Sequence, residues 1–119
     1  MKSIIIAEDD QAMSQMLESA LRQHGYEVRV SADGRDISKL CRSKIPDLVI
    51  TDIFMPHIDG FQLMRKLRKE FPSVKIITIS GNVSATELLP MAGKLGADRT
   101  FLKPFTIQEI LDAVQSVLE

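Results

Sequence analysis

The sequence predicts a parallel α/β fold, (βα)5, with helices on both faces of one doubly wound five-stranded sheet. Three observations predict it. Short apolar runs alternate with segments of helical period from one end of the chain to the other. The runs at 3–7 and 47–52 carry uninterrupted apolar stretches, 4–7 and 48–50, as strands buried on both faces do, whereas 26–31 alternates as an edge strand does. Acidic, hydroxyl and basic residues gather at the carboxyl ends of these runs, where ligand chemistry collects in such sheets. With the second strand at an edge, the first and third central and the crossovers right-handed, the order 2-1-3-4-5 satisfies the pattern.

Each element has its own warrant. SIIIA, residues 3–7, is the first strand. Met13, Met16, Leu17, Ala20 and Leu21 then recur at helical spacing, a helix for which Asp10 is the N-cap and Gly25 the stop. In YEVRVS (26–31), Tyr26, Val28 and Val30 share one face, and Glu27 and Arg29 the other. A shorter helix over about 33–43 buries Ile37, Leu40 and Cys41. The third strand, 47–52, leads to a helix over about 60–70 carrying Phe61, Met64 and Leu67; Asp59 and Gln62 read as its capping box, with Gly60 required by the tight turn. VKIITI (74–79) is the fourth strand and RTFL (99–102) the fifth. For the fourth helix Ser84 and Glu87 offer a capping box, but Pro90 at the sixth helical position would cost about 3 kcal/mol. The expectation is a helix that starts near Leu88–Pro90 or kinks there, in the least rigid part of the fold. The last helix has the clearest start: Thr106 and Glu109 form a T-x-x-E box flanked by the staple pair Phe105 and Ile110. Its buried stripe is Ile107, Ile110, Leu111, Val114, Val117 and Leu118.

Composition bounds the function. The 119 residues fit a single domain, 1–119. Fifteen basic and 16 acidic side chains leave a net charge of −1, no electrostatic footprint for nucleic acid or an anionic membrane. No apolar run approaches the roughly 20 residues of a membrane span, and the N-terminal run is too short for a signal-peptide core. The single cysteine, Cys41, cannot form an internal disulfide and falls on a buried helical stripe, so a reducing, cytoplasmic location is expected. His24 reads as a helix C-terminal residue and His57 as a solvated loop residue, neither with partners at metal-ligand spacing. The methionines fall mostly on core stripes, with Met55 in a loop as the exception.

The strand ends carry the chemistry. The first strand ends in Ala7-Glu8-Asp9-Asp10 and the third in Thr51-Asp52, and these strands are neighbours in the predicted order. Two carboxylates some 4 Å apart repel by about 4 kcal/mol at an effective dielectric near 20, so the folded state must hold a proton there or bind a cation. A site of few carboxylates and much water suits magnesium. The fourth strand ends in Ser80-Gly81 and the fifth in Lys103-Pro104. A metal, a cation, a hydroxyl and open backbone amides around one carboxylate would stabilise a phosphoryl group in transfer to an oxygen.

The segments IIIAEDD, DLVITDIFMPHIDG, IITISG and GADRTFLKPF, in this order and at these spacings, resemble the receiver domain of bacterial two-component response regulators. The resemblance covers essentially the whole chain and implies a flavodoxin-like fold. It implies that Asp52 accepts a phosphoryl group, with Mg2+ held by Asp9 and Asp52 directly, by the Phe54 backbone carbonyl, and by Glu8 through water. Ser80 takes the position of the hydroxyl that bonds the phosphoryl group. Lys103 takes that of the lysine, its bond to Pro104 expected to be cis. The donor would be a sensor histidine kinase or a histidine phosphotransfer protein. The response would pass through the face made by the fourth helix, fifth strand and fifth helix to a downstream protein or output domain, with no nucleic acid bound by this chain. The resemblance implies a signalling phosphoacceptor that assists only its own phosphorylation and dephosphorylation, not an enzyme, and a monomer or a phosphorylation-dependent dimer.

The sequence departs from the family pattern at two places on that face. The family commonly has an aromatic residue three places before the lysine, part of a switch with the hydroxyl residue; here that place holds Thr100, and Phe101 follows on the other side of the strand. Pro90 is the second departure. The expectation is a switch that relies on ordering or displacement of the fourth helix rather than on an aromatic flip. Bulky Phe54, two residues after the acceptor, is expected to restrict attacking water. An enzyme of the haloacid dehalogenase-like kind would need a second aspartate where Phe54 stands. A receiver-like scaffold that works without phosphorylation is the alternative, and a broken acidic pair, acceptor or lysine would mark it; all are present. The expectation is a stand-alone regulator, with a receiver segment of a larger protein as the other reading.

Overall fold

Apolar runs without interruption become the middle of one parallel sheet. In the computed structural model, which describes residues 1–81, 90, 93, 94 and 96–119, β1 (Ser3–Ala7) and β3 (Leu48–Asp52) are buried along their whole length. β2 (Glu27–Ser31) lies outside β1. After β3 in sequence come β4 (Phe54–Met55) and β5 (Ile58–Asp59), which pair only with each other as a short antiparallel ladder. β6 (Lys75–Ser80) and β7 (Arg99–Leu102) complete the large sheet in the order β2-β1-β3-β6-β7, all neighbours parallel. Leaving out the small ladder, this is the expected 2-1-3-4-5.

Successive strand residues point to opposite faces, so the sheet is buried twice. Ile4, Ile6, Leu48, Ile50 and Ile77 face Leu17 and Leu21 of α1 (Gln11–Gln23) and Ile110 and Val114 of α4 (Ile107–Leu118). Ile5, Val49 and Ile76 face Ile37 and Cys41 of α2 (Ile37–Ser43) and Leu63, Met64 and Leu67 of α3 (Gly60–Glu70). The domain is therefore doubly wound, with α1 and α4 on one side and α2 and α3 on the other.

The helix ends follow from their capping residues. Asp10 accepts from the Met13 amide at 3.1 Å, and α1 stops before Gly25, whose φ of +89° suits a residue without Cβ. Asp59 accepts from the amides of Phe61 and Gln62, the forward half of the expected box. Thr106 and Glu109 make both halves of theirs. Gly60 is required for a different reason than turn conformation: a Cβ there would lie 2.3 Å from the Ile53 carbonyl oxygen. Glycine thus lets the start of α3 touch the backbone that follows Asp52.

Three local expectations are corrected. α2 starts at Ile37, not near 33, because Gly34 takes φ +83° and the Asp36 carboxylate accepts from Ser31 Oγ instead of capping the helix. Met55 is core, 6% exposed, and packs on the α2–α3 side. Met16, on the predicted stripe, is 43% exposed because it sits at the edge of that stripe. The expectation of a start or kink near Leu88–Pro90 and of low rigidity falls mainly on residues outside those described; Pro90, Gly93 and Lys94 themselves are helical.

Candidate functional site

Three strand ends converge on one carboxylate. β1 delivers Glu8 and Asp9, β3 delivers Asp52, and Lys103 follows β7. The β1–β3 register sets Ala7 beside Thr51, which puts Glu8 and Asp52 next to each other. Glu8 is 1% exposed and Asp52 4%, whereas Asp9 is open to solvent. Lys103 reaches in from the rim: its Nζ lies 2.5 Å from Glu8 Oε1 and 3.0 Å from Asp52 Oδ2. The Phe54 amide donates to Asp52 Oδ1 at 2.9 Å, so both Asp52 oxygens are held.

The electrostatics follow from burial. Burial pushes the Glu8 carboxyl up to about 7; the neighbouring Asp52 carboxylate adds to the rise, and Lys103 opposes it. For Lys103, burial works against the ammonium form, but bonds to Glu8 and Asp52 outweigh it and the amine is raised above its ordinary value. The cation the crowded carboxylates require is thus in part Lys103 itself.

A divalent cation also fits. One oxygen from each of Glu8, Asp9 and Asp52 can be chosen so that the three lie within 4.8 Å of one another. Glu8 Oε2 is buried with no hydrogen-bond partner among the described residues, an arrangement that costs free energy unless something else satisfies it. An all-oxygen donor set of this kind, with Asp9 open to water, suits a hard, partly hydrated ion.

Ser80 closes β6 and is fully buried; its carbonyl accepts from the Lys103 amide at 2.7 Å, which fastens the ends of β6 and β7 together. Asp52 is paired in register with Ile79, the residue before it. Lys103–Pro104 is cis. Phe54 leaves 36% of its surface exposed beside the acidic cluster, at a cavity of about 570 Å³ also lined by Asp9, Met55, Pro56 and Phe61. Phe101 packs on the α1–α4 side, 6.3 Å from the Phe105 ring and with Arg99 over its face, while Thr100 sits half-buried opposite.

Glu8, Asp9, Asp52, Phe54, Ser80 and Lys103 therefore lie on this rim, and Thr100 and Phe101 on the strand leading to it. Sequence reasoning did not single out Gly81 as a packing requirement. A Cβ there would come within 3.2 Å of the Lys103 stem, so glycine leaves the lysine room to lie across the strand end. The signal was present: a glycine directly after a strand that ends in a hydroxyl.

Comparison with known proteins agrees with this fold. The sequence model of the response regulator receiver domain family matches residues 4–115. The response regulator MprA of Mycolicibacterium vanbaalenii is 34% identical over 116 residues, covering 97% of this chain and 49% of that protein. The probable transcriptional regulator ycf27 of Galdieria sulphuraria is 34% identical over 117 residues, 98% of this chain and 45% of its own. The chain thus spans about half the length of these curated relatives. Among solved structures, the chemotaxis response regulator CheY4 of Vibrio cholerae superposes with a TM-score of 0.89 at 28% identity, covering 99% of each chain. The CheY-like receiver domain protein from Methanospirillum hungatei gives 0.91 at 27% identity, over 99% of this chain and 94% of that one.

Proposed function

The chain belongs to the response regulator receiver domain family, and from that premise we propose that it takes a phosphoryl group onto Asp52 from a histidine kinase or histidine phosphotransfer protein and passes the change to a partner. The observation that carries the reading is the pairing of Asp52 Oδ2 with Lys103 Nζ at 3.0 Å beside two further carboxylates that fit a divalent cation.

The residues divide the work. In the transfer an Asp52 oxygen forms a bond to phosphorus as the bond from phosphorus to the donor's imidazole nitrogen breaks, and the electron pair leaves with the imidazole. Lys103 neutralises charge on the incoming oxygens, and the Ser80 hydroxyl and the amides after Asp52 give them hydrogen bonds. Asp9 and Asp52, with the Phe54 carbonyl and with Glu8 through water, would hold magnesium, which would supply positive charge at the same oxygens. Glu8 has a second duty: it holds the Lys103 ammonium at 2.5 Å, aimed at Asp52. Phe54 covers one approach and limits access of water to the product.

The added charge is the signal. Ser80 and Lys103 are drawn toward it, the end of β7 follows, and the face made by β7 and α4 selects a partner. The partner is a downstream protein or an output domain. The Galdieria relative, a probable transcriptional regulator of about twice this length, supports an output joined in one polypeptide. CheY4, matched along 99% of its own chain, supports one met in solution. No helix among the described residues is long and apolar enough to cross a membrane, in keeping with work in the cytoplasm beside a kinase. The chain acts as a signalling phosphoacceptor that assists only its own chemistry.

The test is to incubate the protein with magnesium and acetyl phosphate and weigh it intact. A gain of one phosphoryl group, lost on chelation and absent in Asp52→Asn, is the expected result. No gain in protein shown to bind magnesium would favour the phosphorylation-independent scaffold.

A further inference from the structure

Across the sheet from β3 to the edge strand β7 runs a row of threonines that the site does not use. Thr51 of β3, Thr78 of β6 and Thr100 of β7 are direct register partners, Thr51 with Thr78 and Thr78 with Thr100. All three side chains therefore share one face of the sheet, the face onto which Ser80, two residues after Thr78, also projects. The row runs from the acceptor strand to the edge strand.

Its middle member is unsatisfied. Thr78 is 0% exposed, and its Oγ1 has no hydrogen-bond partner among the described residues. Thr51 is engaged elsewhere, its hydroxyl donating to the Asp52 carbonyl at 3.0 Å. Thr100, at the edge, is only half-buried. A buried hydroxyl without a partner is costly, and such groups in native proteins call for an explanation. Neighbouring strands lie about 4.8 Å apart, and paired threonines across that gap hydrogen-bond when their rotamers allow it.

Both strands of the pair end at the acceptor. Ser80 follows Thr78 on β6, Lys103 follows Thr100 on β7, and the Lys103 amide already donates to the Ser80 carbonyl. A charge on Asp52 that grips Ser80 and Lys103 pulls on the two strands at once. We propose that Thr78 and Thr100 are the coupling pair of this protein: the phosphorylated state closes a Thr78–Thr100 hydrogen bond that the unphosphorylated state leaves open. The bond carries the change to the edge strand without an aromatic side chain. Phe101, held on the opposite side against Phe105, is not needed for it. The inference rests on Asp52 being the acceptor.

The test uses beryllofluoride with magnesium as the phosphoryl mimic and follows backbone amides by NMR. In wild type the Phe54 amide, bonded to Asp52, reports binding, and the amides of Thr100 and Phe101 report the edge strand. Thr78→Val keeps the shape and removes the hydroxyl. It is expected to bind the mimic within two-fold of wild type at Phe54 and to lose most of the shift at Thr100 and Phe101. Its melting temperature without the mimic should be no lower than that of wild type, because no bond is lost in that state. Thr100→Val should also lose the Phe101 shift while melting as wild type does. Unchanged edge-strand shifts in both variants overturn the coupling pair while Asp52 stands. No shift at Phe54 in wild type overturns the acceptor reading, and the coupling pair with it.

Discussion

Lys103 touches two carboxylates at once, and that contact makes the site sensitive to protons and metal together. With the Glu8 carboxyl raised to about 7 from an ordinary 4.5, the folded state binds more protons than the unfolded one between those values. Stability from this group is full below about 4.5 and is lost as pH rises through about 7. Lys103, raised above its ordinary value, stabilises the fold at all lower pH and stops doing so only in strong base. A divalent cation competes with the Glu8 proton. Magnesium should therefore raise the urea midpoint more at about pH 8 than at about pH 6, and Glu8→Gln should flatten that difference. A larger magnesium effect at the lower pH would contradict this placement of Glu8. Phe54 gives a second prediction: once phosphorylated, Phe54→Asn should lose its phosphoryl group several-fold faster than wild type, read by intact mass over time. The identities of Glu8, Asp52, Ser80 and Lys103 were legible as polar groups ending apolar runs. The direct Glu8–Lys103 contact was not, because it joins residues 95 apart in sequence.

Elements hold these residues in place through their ends. α4 starts with a reciprocal box between Thr106 and Glu109 just after the Lys103–Pro104 bond. Thr106→Ala should cost about 1 kcal/mol in denaturant unfolding, the value of a lost N-cap. Gly60→Ala should cost more, about 2–4 kcal/mol, because its Cβ would meet the Ile53 carbonyl at 2.3 Å. It should also slow phosphorylation by displacing the backbone after Asp52, and a variant as stable and as reactive as wild type would contradict that packing. The Thr106–Glu109 box and the Asp59 cap of α3 were readable from residue spacing alone. The start of α2 was not, since spacing does not record that the Asp36 side chain turns back to the Ser31 hydroxyl at the end of β2 instead of capping the helix. The β4–β5 ladder and the burial of Met55 likewise depend on how the loop folds back over the α2–α3 side, which no periodicity records.

For the whole molecule, the decisive information was the contrast between uninterrupted and alternating strands. β1 and β3 are apolar on both faces and stand at the centre; β2 alternates and lies at the edge. That order brings Glu8, Asp9 and Asp52 onto one rim, so the architecture and the site are consequences of one pattern. The same architecture buries Cys41 completely and raises its thiol by desolvation. The native protein should leave it unreacted with a thiol reagent that labels it at once in denaturant.

The central claim is that Asp52 alone receives the phosphoryl group. Treating the phosphorylated chain with borohydride reduces an acyl phosphate to the alcohol, and peptide mass mapping then finds the residue that carried it. Homoserine at position 52, and at no other acidic position, is the predicted result. A reduced residue at Glu8 or Asp9, with Asp52 intact, would contradict the assignment of acceptor and metal ligands together.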